Sequence, residues 1–79
     1  MTRLLNYANL HDDKETAGLV LDTAARTGMP VETLMALWNA GWHWFSHTDI
    51  EVHRAWFTRA TEGARLRHFI RLLGIEERG

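Results

Sequence analysis

The chain of 79 residues has no cysteine and only one proline. Without cysteine, neither a disulfide bond nor a thiolate-bound zinc ion can stabilise so short a chain. A domain of this size buries only roughly 60–65% of the surface that its unfolded form exposes. Its stability must therefore come from dense side-chain packing, from self-association or from docking on a partner.

Long hydrophobic runs are also absent. No apolar run approaches the roughly 18–20 residues that span a membrane, and residues 1–12 lack the apolar centre of a signal peptide. A hydrophobic fraction of 46% is that of a folded chain. We therefore expect a soluble protein of the cytoplasm with no membrane partner.

The signatures of common enzymes are missing. The chain contains no glycine-rich phosphate loop, no G-x-S-x-G motif and no cysteine nucleophile. A small helical bundle also offers no evident cleft in which acids, serine or histidines would be desolvated. We expect no catalytic residues, no cofactor and no enzymatic activity.

Sequence patterns typical of strands are nearly absent, whereas patterns typical of helices and helix ends occur along the whole chain. No segment alternates polar and apolar residues over more than a few positions, and no Asn-Gly or Asp-Gly turn occurs. The sequence predicts an all-α fold, a small bundle of three to four helices with short connections. Residues 1–79 form a single domain in this prediction, with an N-terminal arm at 1–11 and a frayed tail at 75–79.

The first two predicted helices meet at a glycine and a proline. A helix over 13–27 has Asp12 as its N-cap, and Gly28 suits the left-handed position that ends it. Pro30 then opens the second helix, where its missing N–H costs nothing. That helix ends at Gly41 or continues to residue 47. The following residues project within about 80° of each other and are expected to form its core stripe: Leu34, Trp38, Gly41, Trp42 and Phe45.

A capping box predicts the start of the last helical region. Thr48 and Glu51 stand three residues apart, so a helix should begin near Asp49. Gly63 either lies within one long helix or divides it in two. The expected core arc consists of Val52, Ala55, Trp56, Gly63, Leu66, Ile70 and Leu73.

Aromatic residues concentrate in the middle of the chain. Residues 38–57 hold all four tryptophans and three of the five histidines. Trp44 lies about 120° from the centre of the core stripe, so the helical pattern predicts an exposed indole. Because tryptophan is a frequent anchor of protein interfaces, we predict a docking surface at Trp44, with His43 and His47 beside it.

Charge is distributed unevenly. Residues 1–51 carry three basic and seven acidic side chains, and residues 52–79 carry six arginines and three glutamates. Such a dipolar chain can pair with itself or offer arginines to an acidic partner. On one continuous helix, Arg54, Arg65 and His68 share a polar face with Thr58 and Thr61. We predict that these three residues contact a partner.

A metal site is an alternative interpretation of the histidines. His43 and His47 stand four residues apart, on one side of a helix, with Asp49, Glu51 or His53 as a third ligand. The pair lies opposite the core stripe and has no neighbouring glutamate of the zinc-peptidase type. We therefore expect surface histidines and no resident metal.

A DNA-binding helix-turn-helix is a second alternative. Its framework spacing is matched by Ala24, Gly28, Met29, Leu34 and Leu37. The would-be recognition helix, 30–41, contains Glu32 and no lysine or arginine, which is unfavourable next to phosphates. Nucleic acid is thus the less favoured partner.

Two short segments resemble parts of the helical theta subunit of bacterial DNA polymerase III. They are M-P-V at 29–31 and H-R-A-W-F-T-R at 53–59, about ten residues with a different spacing between the two pieces. No residue role is transferred from this resemblance.

The residues themselves favour a small non-enzymatic module that binds another protein or protein complex, as a regulatory, inhibitory or accessory subunit, and that forms a homo-oligomer.

Overall fold

The computed structural model describes residues 4–45 and 49–75; most of these residues are helical, and none of them forms a strand. A single turn of 3₁₀-helix, Leu10–Asp12, precedes four α-helices. The helices are α1 (Lys14–Thr27), α2 (Val31–Phe45), α3 (Ile50–Ala60) and α4 (Arg65–Leu72). The predicted all-α bundle with short connections is confirmed.

Both ends of α1 are capped by side-chain or backbone geometry. Asp13, rather than the predicted Asp12, is the N-cap, and its carboxylate accepts hydrogen bonds from the backbone N–H groups of Glu15 and Thr16. Asp12 is occupied in the 3₁₀ turn, which moves the helix start by one residue. Gly28 ends α1 in the left-handed conformation, with φ of 76°, as predicted.

Helix α2 lies at the centre of the bundle. It continues through Gly41 to Phe45, so the glycine does not end the helix. The ring of Trp56 on α3 lies where a side chain at Gly41 would project. The buried residues of α2 are Leu34, Met35, Leu37, Trp38, Gly41 and Trp42. Phe45, predicted to be core, is 41% exposed because it is the last residue of the helix.

The last helical region is divided at Gly63, which has a φ of 52°. The predicted core arc followed one helical period across Gly63, and it is wrong at Val52, Ala55 and Gly63, which are exposed. The core positions of α3 are instead His53, Trp56, Phe57 and Ala60. Phe57, predicted to lie off the arc, is fully buried. A separate α4 buries Leu66 and Ile70.

Besides the hydrogen bond of His53 described below, three polar connections among the described residues join segments that are distant in sequence. Asn39 binds the N-terminal arm: its Oδ1 accepts from Leu5 N at 2.6 Å, and its Nδ2 donates to Leu5 O at 3.0 Å. Arg26 on α1 donates to the carbonyl oxygen and hydroxyl of Thr61, at 3.5 and 3.4 Å. The third connection, from Arg54 to the start of α1, belongs to the surface described below.

Candidate protein-docking surface

An apolar patch lies where α2 ends and α3 begins. Trp44 is 61% exposed, Val52 is 51% exposed, and Phe45 completes the patch. The exposure predicted for the Trp44 indole is therefore confirmed. We call these three residues the apolar patch.

The apolar patch lies next to the aromatic core. The ring of Phe45 packs against that of Trp56, with centroids 5.3 Å apart. Trp56 in turn meets Phe69 of α4 edge-on at 5.4 Å. Val52 precedes Trp56 by four residues, so the two side chains lie on the same side of α3. Phe45 and Val52 are thus connected to the packed cluster around Trp56, and Trp44 directly precedes Phe45 in α2.

His53 is enclosed by tryptophans beneath this surface. Its imidazole is fully buried, and Nε2 lies 2.9 Å from the carbonyl oxygen of Trp38. A carbonyl oxygen only accepts, so Nε2 carries the proton and donates it. The ring contacts Trp38 and Trp42 edge-on, at 4.3 and 4.8 Å, and stacks on Trp56 at 5.1 Å. His53 is therefore a hydrogen-bonded core residue.

Of the histidines proposed as metal ligands, the two that the structure describes, His43 and His53, lie in different environments. His43 is exposed near the end of α2, whereas His53 is buried and committed to Trp38. His47 lies outside the described residues. Within residues 4–45 and 49–75, no group of three histidines or carboxylates is arranged to hold a metal ion.

Arg54 is held by α1. Its Nη1 lies 3.2 Å from Glu15 Oε2 and 3.6 Å from Asp13 Oδ2, and its side chain is only 17% exposed. Because Nη1 makes no hydrogen bond of good geometry, the contact is mainly electrostatic. The hydroxyl of Thr16 donates to Asp13 at 2.7 Å and, together with Arg54 and two backbone N–H groups, lowers the pKa of this carboxyl. Arg54 thus connects α3 to α1.

Arg65 and His68 remain on the surface of α4, as predicted. Two further arginines, Arg67 and Arg71, are exposed on the same short helix. Its exposed residues are Arg65, Arg67, His68, Arg71 and Leu72, and it contains no acid. We call this surface the arginine face. A shallow groove of about 200 Å³ runs along one edge and is lined by Arg67, Ile70, Arg71 and Ile75.

The arrangement of α1 and α2 is unfavourable for reading DNA. Leu34 and Leu37 are fully buried, in keeping with the framework positions of a helix-turn-helix. However, Met35 is also buried, and Asn39 is bonded to Leu5, so neither is available to a base. The remaining exposed charge at the start of α2 is Glu32. Helix α2 itself carries no lysine or arginine to contact phosphates.

Comparison with known proteins adds no relative: no protein-family model matches the chain, and no curated protein or solved structure matches it significantly. Among the described residues, no helix combines the length and hydropathy that a bilayer span requires. The residues of the chain are therefore the basis for a functional interpretation.

Two members of the apolar patch were missed by the sequence pattern. Phe45 and Val52 have core spacing on their helices, which predicts burial. They lie in the last and first turns next to the connection between α2 and α3, where a helix face no longer has a neighbour along its full length. Closeness to a helix end was the available signal, and it applies to Trp44 as well.

Proposed function

We propose that the chain is a small, non-enzymatic protein-binding module of the cytoplasm. It would act as a regulatory, inhibitory or accessory subunit of a larger protein assembly. The observation that carries the proposal is the apolar patch: the exposed Trp44 directly precedes Phe45, which packs on Trp56, and the exposed Val52 lies on the same side of α3 as Trp56.

The physical argument is the cost of this patch to an isolated chain. Exposed apolar side chains that form a contiguous surface are uncommon in small monomers, and they favour association. Tryptophan contributes a large, rigid surface that loses little conformational entropy on binding, which is why it is common among interface anchors. The packing of Phe45 on Trp56 holds one edge of the patch in place before a partner arrives.

Replacement of Trp44 tests the proposal. Tagged wild-type protein and a Trp44→Ser variant would each be used to capture proteins from an extract of the native host. We expect one protein in stoichiometric amount with the wild type and its loss with the variant. With that protein purified, the variant should bind at least roughly 30-fold more weakly, the effect of losing a hot spot of about 2 kcal/mol.

Tyr7→Ser is the matched control. Tyr7 is 65% exposed, close to the 61% of Trp44, and lies in the N-terminal arm. The control should retain the partner, and both variants should melt near the wild-type temperature because neither side chain is buried. Equal capture by the wild type and the Trp44→Ser variant would contradict the proposal.

A further inference from the structure

The fold uses some of its arginines and leaves others free. Arg54 contacts Asp13 and Glu15, and Arg26 binds Thr61. In contrast, Arg65, Arg67 and Arg71 have no carboxylate within 4 Å and no hydrogen-bond partner in the described parts of the chain. Arg59 on α3 is exposed and unpaired in the same parts of the chain as well, but α4 carries three such arginines, all on the arginine face.

Acidic residues gather at a different place in the fold. The contact of Arg54 with Asp13 and Glu15 brings the start of α3 next to the start of α1. Both helix starts are acidic: Asp12, Asp13 and Glu15 lie at the first, and Asp49 and Glu51 at the second. We call these two neighbouring helix starts the acidic end; Lys14 and Arg54 are the lysine and arginine within it.

The acidic end adjoins the apolar patch. Glu51 is exposed and is followed directly by Val52, which belongs to the patch. An indole surface bordered by carboxylates is the chemical complement of arginine, since guanidinium groups both stack on aromatic rings and pair with carboxylates. On the arginine face, Leu72 is 51% exposed and supplies an apolar contact of its own.

We propose that the partner of the apolar patch is a second copy of this chain, whose arginine face lies on the patch and the acidic end. Arg67 and Arg71 pair with Glu51 and its neighbours, while the arginine stems and Leu72 cover Trp44. The inference rests on the proposed function, because it names the protein that docks on the patch. The two surfaces differ, so each copy offers one of each.

The size of the molecule is compatible with this contact. A stable interface of standard size buries about 800 Å² on each partner. That is about 15% of the 5216 Å² surface of this chain. Two sites of this size therefore fit on one copy. In either a closed antiparallel dimer or a ring, both docking surfaces of every copy are occupied.

Sedimentation velocity of the purified, untagged protein tests the inference. We expect a dissociation constant that rises at least about 10-fold between roughly 50 and 500 mM salt, because the contact depends on exposed charges. Arg67→Glu and Glu51→Arg should each weaken self-association by about 10-fold or more. Two charge controls, Arg59→Glu and Asp22→Arg, change exposed residues outside the arginine face and the acidic end and should not weaken it to that extent.

A mixture of the two weakened variants gives the sharpest result. The Arg67→Glu chain has an intact acidic end, and the Glu51→Arg chain has an intact arginine face, so the mixture contains a native pair of surfaces. We expect association in the mixture at a concentration at which each variant alone is monomeric. An interface between two identical patches would not be restored in this way, and absence of restoration overturns the inference.

The outcomes separate this inference from the proposed function. A protein that stays monomeric at low salt but still captures a different protein through Trp44 overturns the inference and leaves the function standing. If Trp44→Ser changes neither the capture of a partner nor self-association, the proposed function and this inference are both refuted. A labelled oligonucleotide bound at low salt by the monomer, and released by Arg67→Glu, would assign the arginine face to phosphates and overturn the inference.

Discussion

Gly41 sets the distance between α2 and α3. A Cβ at this position would overlap the six-membered ring of Trp56, which is held between Phe45 and Phe69 and has no room to withdraw. Glycine lowers the helix propensity at this position, but it allows the close approach of Trp56 that completes the aromatic cluster, and this packing offsets the loss. One hydrogen atom in place of a methyl group thus positions the support of the apolar patch.

Gly41→Ala should destabilise the protein. Overpacking against Trp56 costs about 1–3 kcal/mol, which exceeds the gain of up to about 1 kcal/mol from better helix propensity. Gly18→Ala is the matched control, since Gly18 is an exposed glycine of α1 with nothing within 4 Å of the added atom. It should stabilise the protein by about 0.5–1 kcal/mol. Urea unfolding of both variants measures the difference, and equal shifts would disprove the packing argument.

Asp13 should make stability depend on acid. Its pKa is lowered in the folded protein, first by the hydroxyl of Thr16 and further by Arg54 and the N-cap hydrogen bonds. The stabilisation is present above the ordinary pKa of an aspartate, about 3.9, and is lost as the pH falls through the lower folded value. Asp13→Asn should reduce stability at neutral pH and flatten the decline below about pH 4. Unfolding measured at several pH values would show the same slope in both proteins if this assignment is wrong.

At the scale of elements, the division between α3 and α4 separates two groups of arginines. Up to Ala60, the helical period places His53, Trp56 and Phe57 inward. A continuous helix would carry that period onward and place Arg65 on the same polar face as Arg54. The left-handed Gly63 ends the period instead, and α4 starts afresh with its own buried pair, Leu66 and Ile70. The spacing of Arg65, Arg67 and Arg71 belongs to α4 itself, and the interruption separates these arginines from the helical period of α3.

Substitution of Gly63 tests the interruption. Alanine in the left-handed region is strained by about 1–2 kcal/mol, so Gly63→Ala should lower the free energy of unfolding by about that amount. Asparagine tolerates this region, and Gly63→Asn should therefore lose less. Because nothing lies within 4 Å of the added carbon, the difference reports backbone conformation alone. Equal stability of the glycine, alanine and asparagine forms would refute this.

At the scale of the molecule, the sequence predicts the class of fold better than it predicts the surfaces. Helix periodicity, Gly28 and the absence of strand patterns were sufficient for an all-α bundle. Periodicity assigns an arc to each helix but does not show where a neighbouring helix stops, so Phe45 and Val52 were placed in the core. The pattern also does not distinguish a surface histidine from one that packs inside, as His53 does, because imidazole suits both environments.

The contact between Arg54 and α1 was likewise beyond the reach of the sequence pattern. It depends on how α3 packs against α1, which helical periodicity does not show. The sequence also offers several other acidic residues with which Arg54 could pair. The structure therefore changes the assignment of the docking arginines. Arg54, which was predicted to contact a partner, is bound within the fold, whereas Arg67 and Arg71 are exposed on α4 together with Arg65.

The distribution of the four tryptophans gives the molecule a built-in optical probe. Trp38, Trp42 and Trp56 are at most 9% exposed and surround an imidazole, whereas Trp44 alone faces water. Three indoles therefore emit from a shielded environment, and the red-edge, quencher-accessible part of the fluorescence comes from a single side chain. Occupation of the apolar patch would be visible as the loss of that component, with no label attached and with the buried indoles as an internal reference.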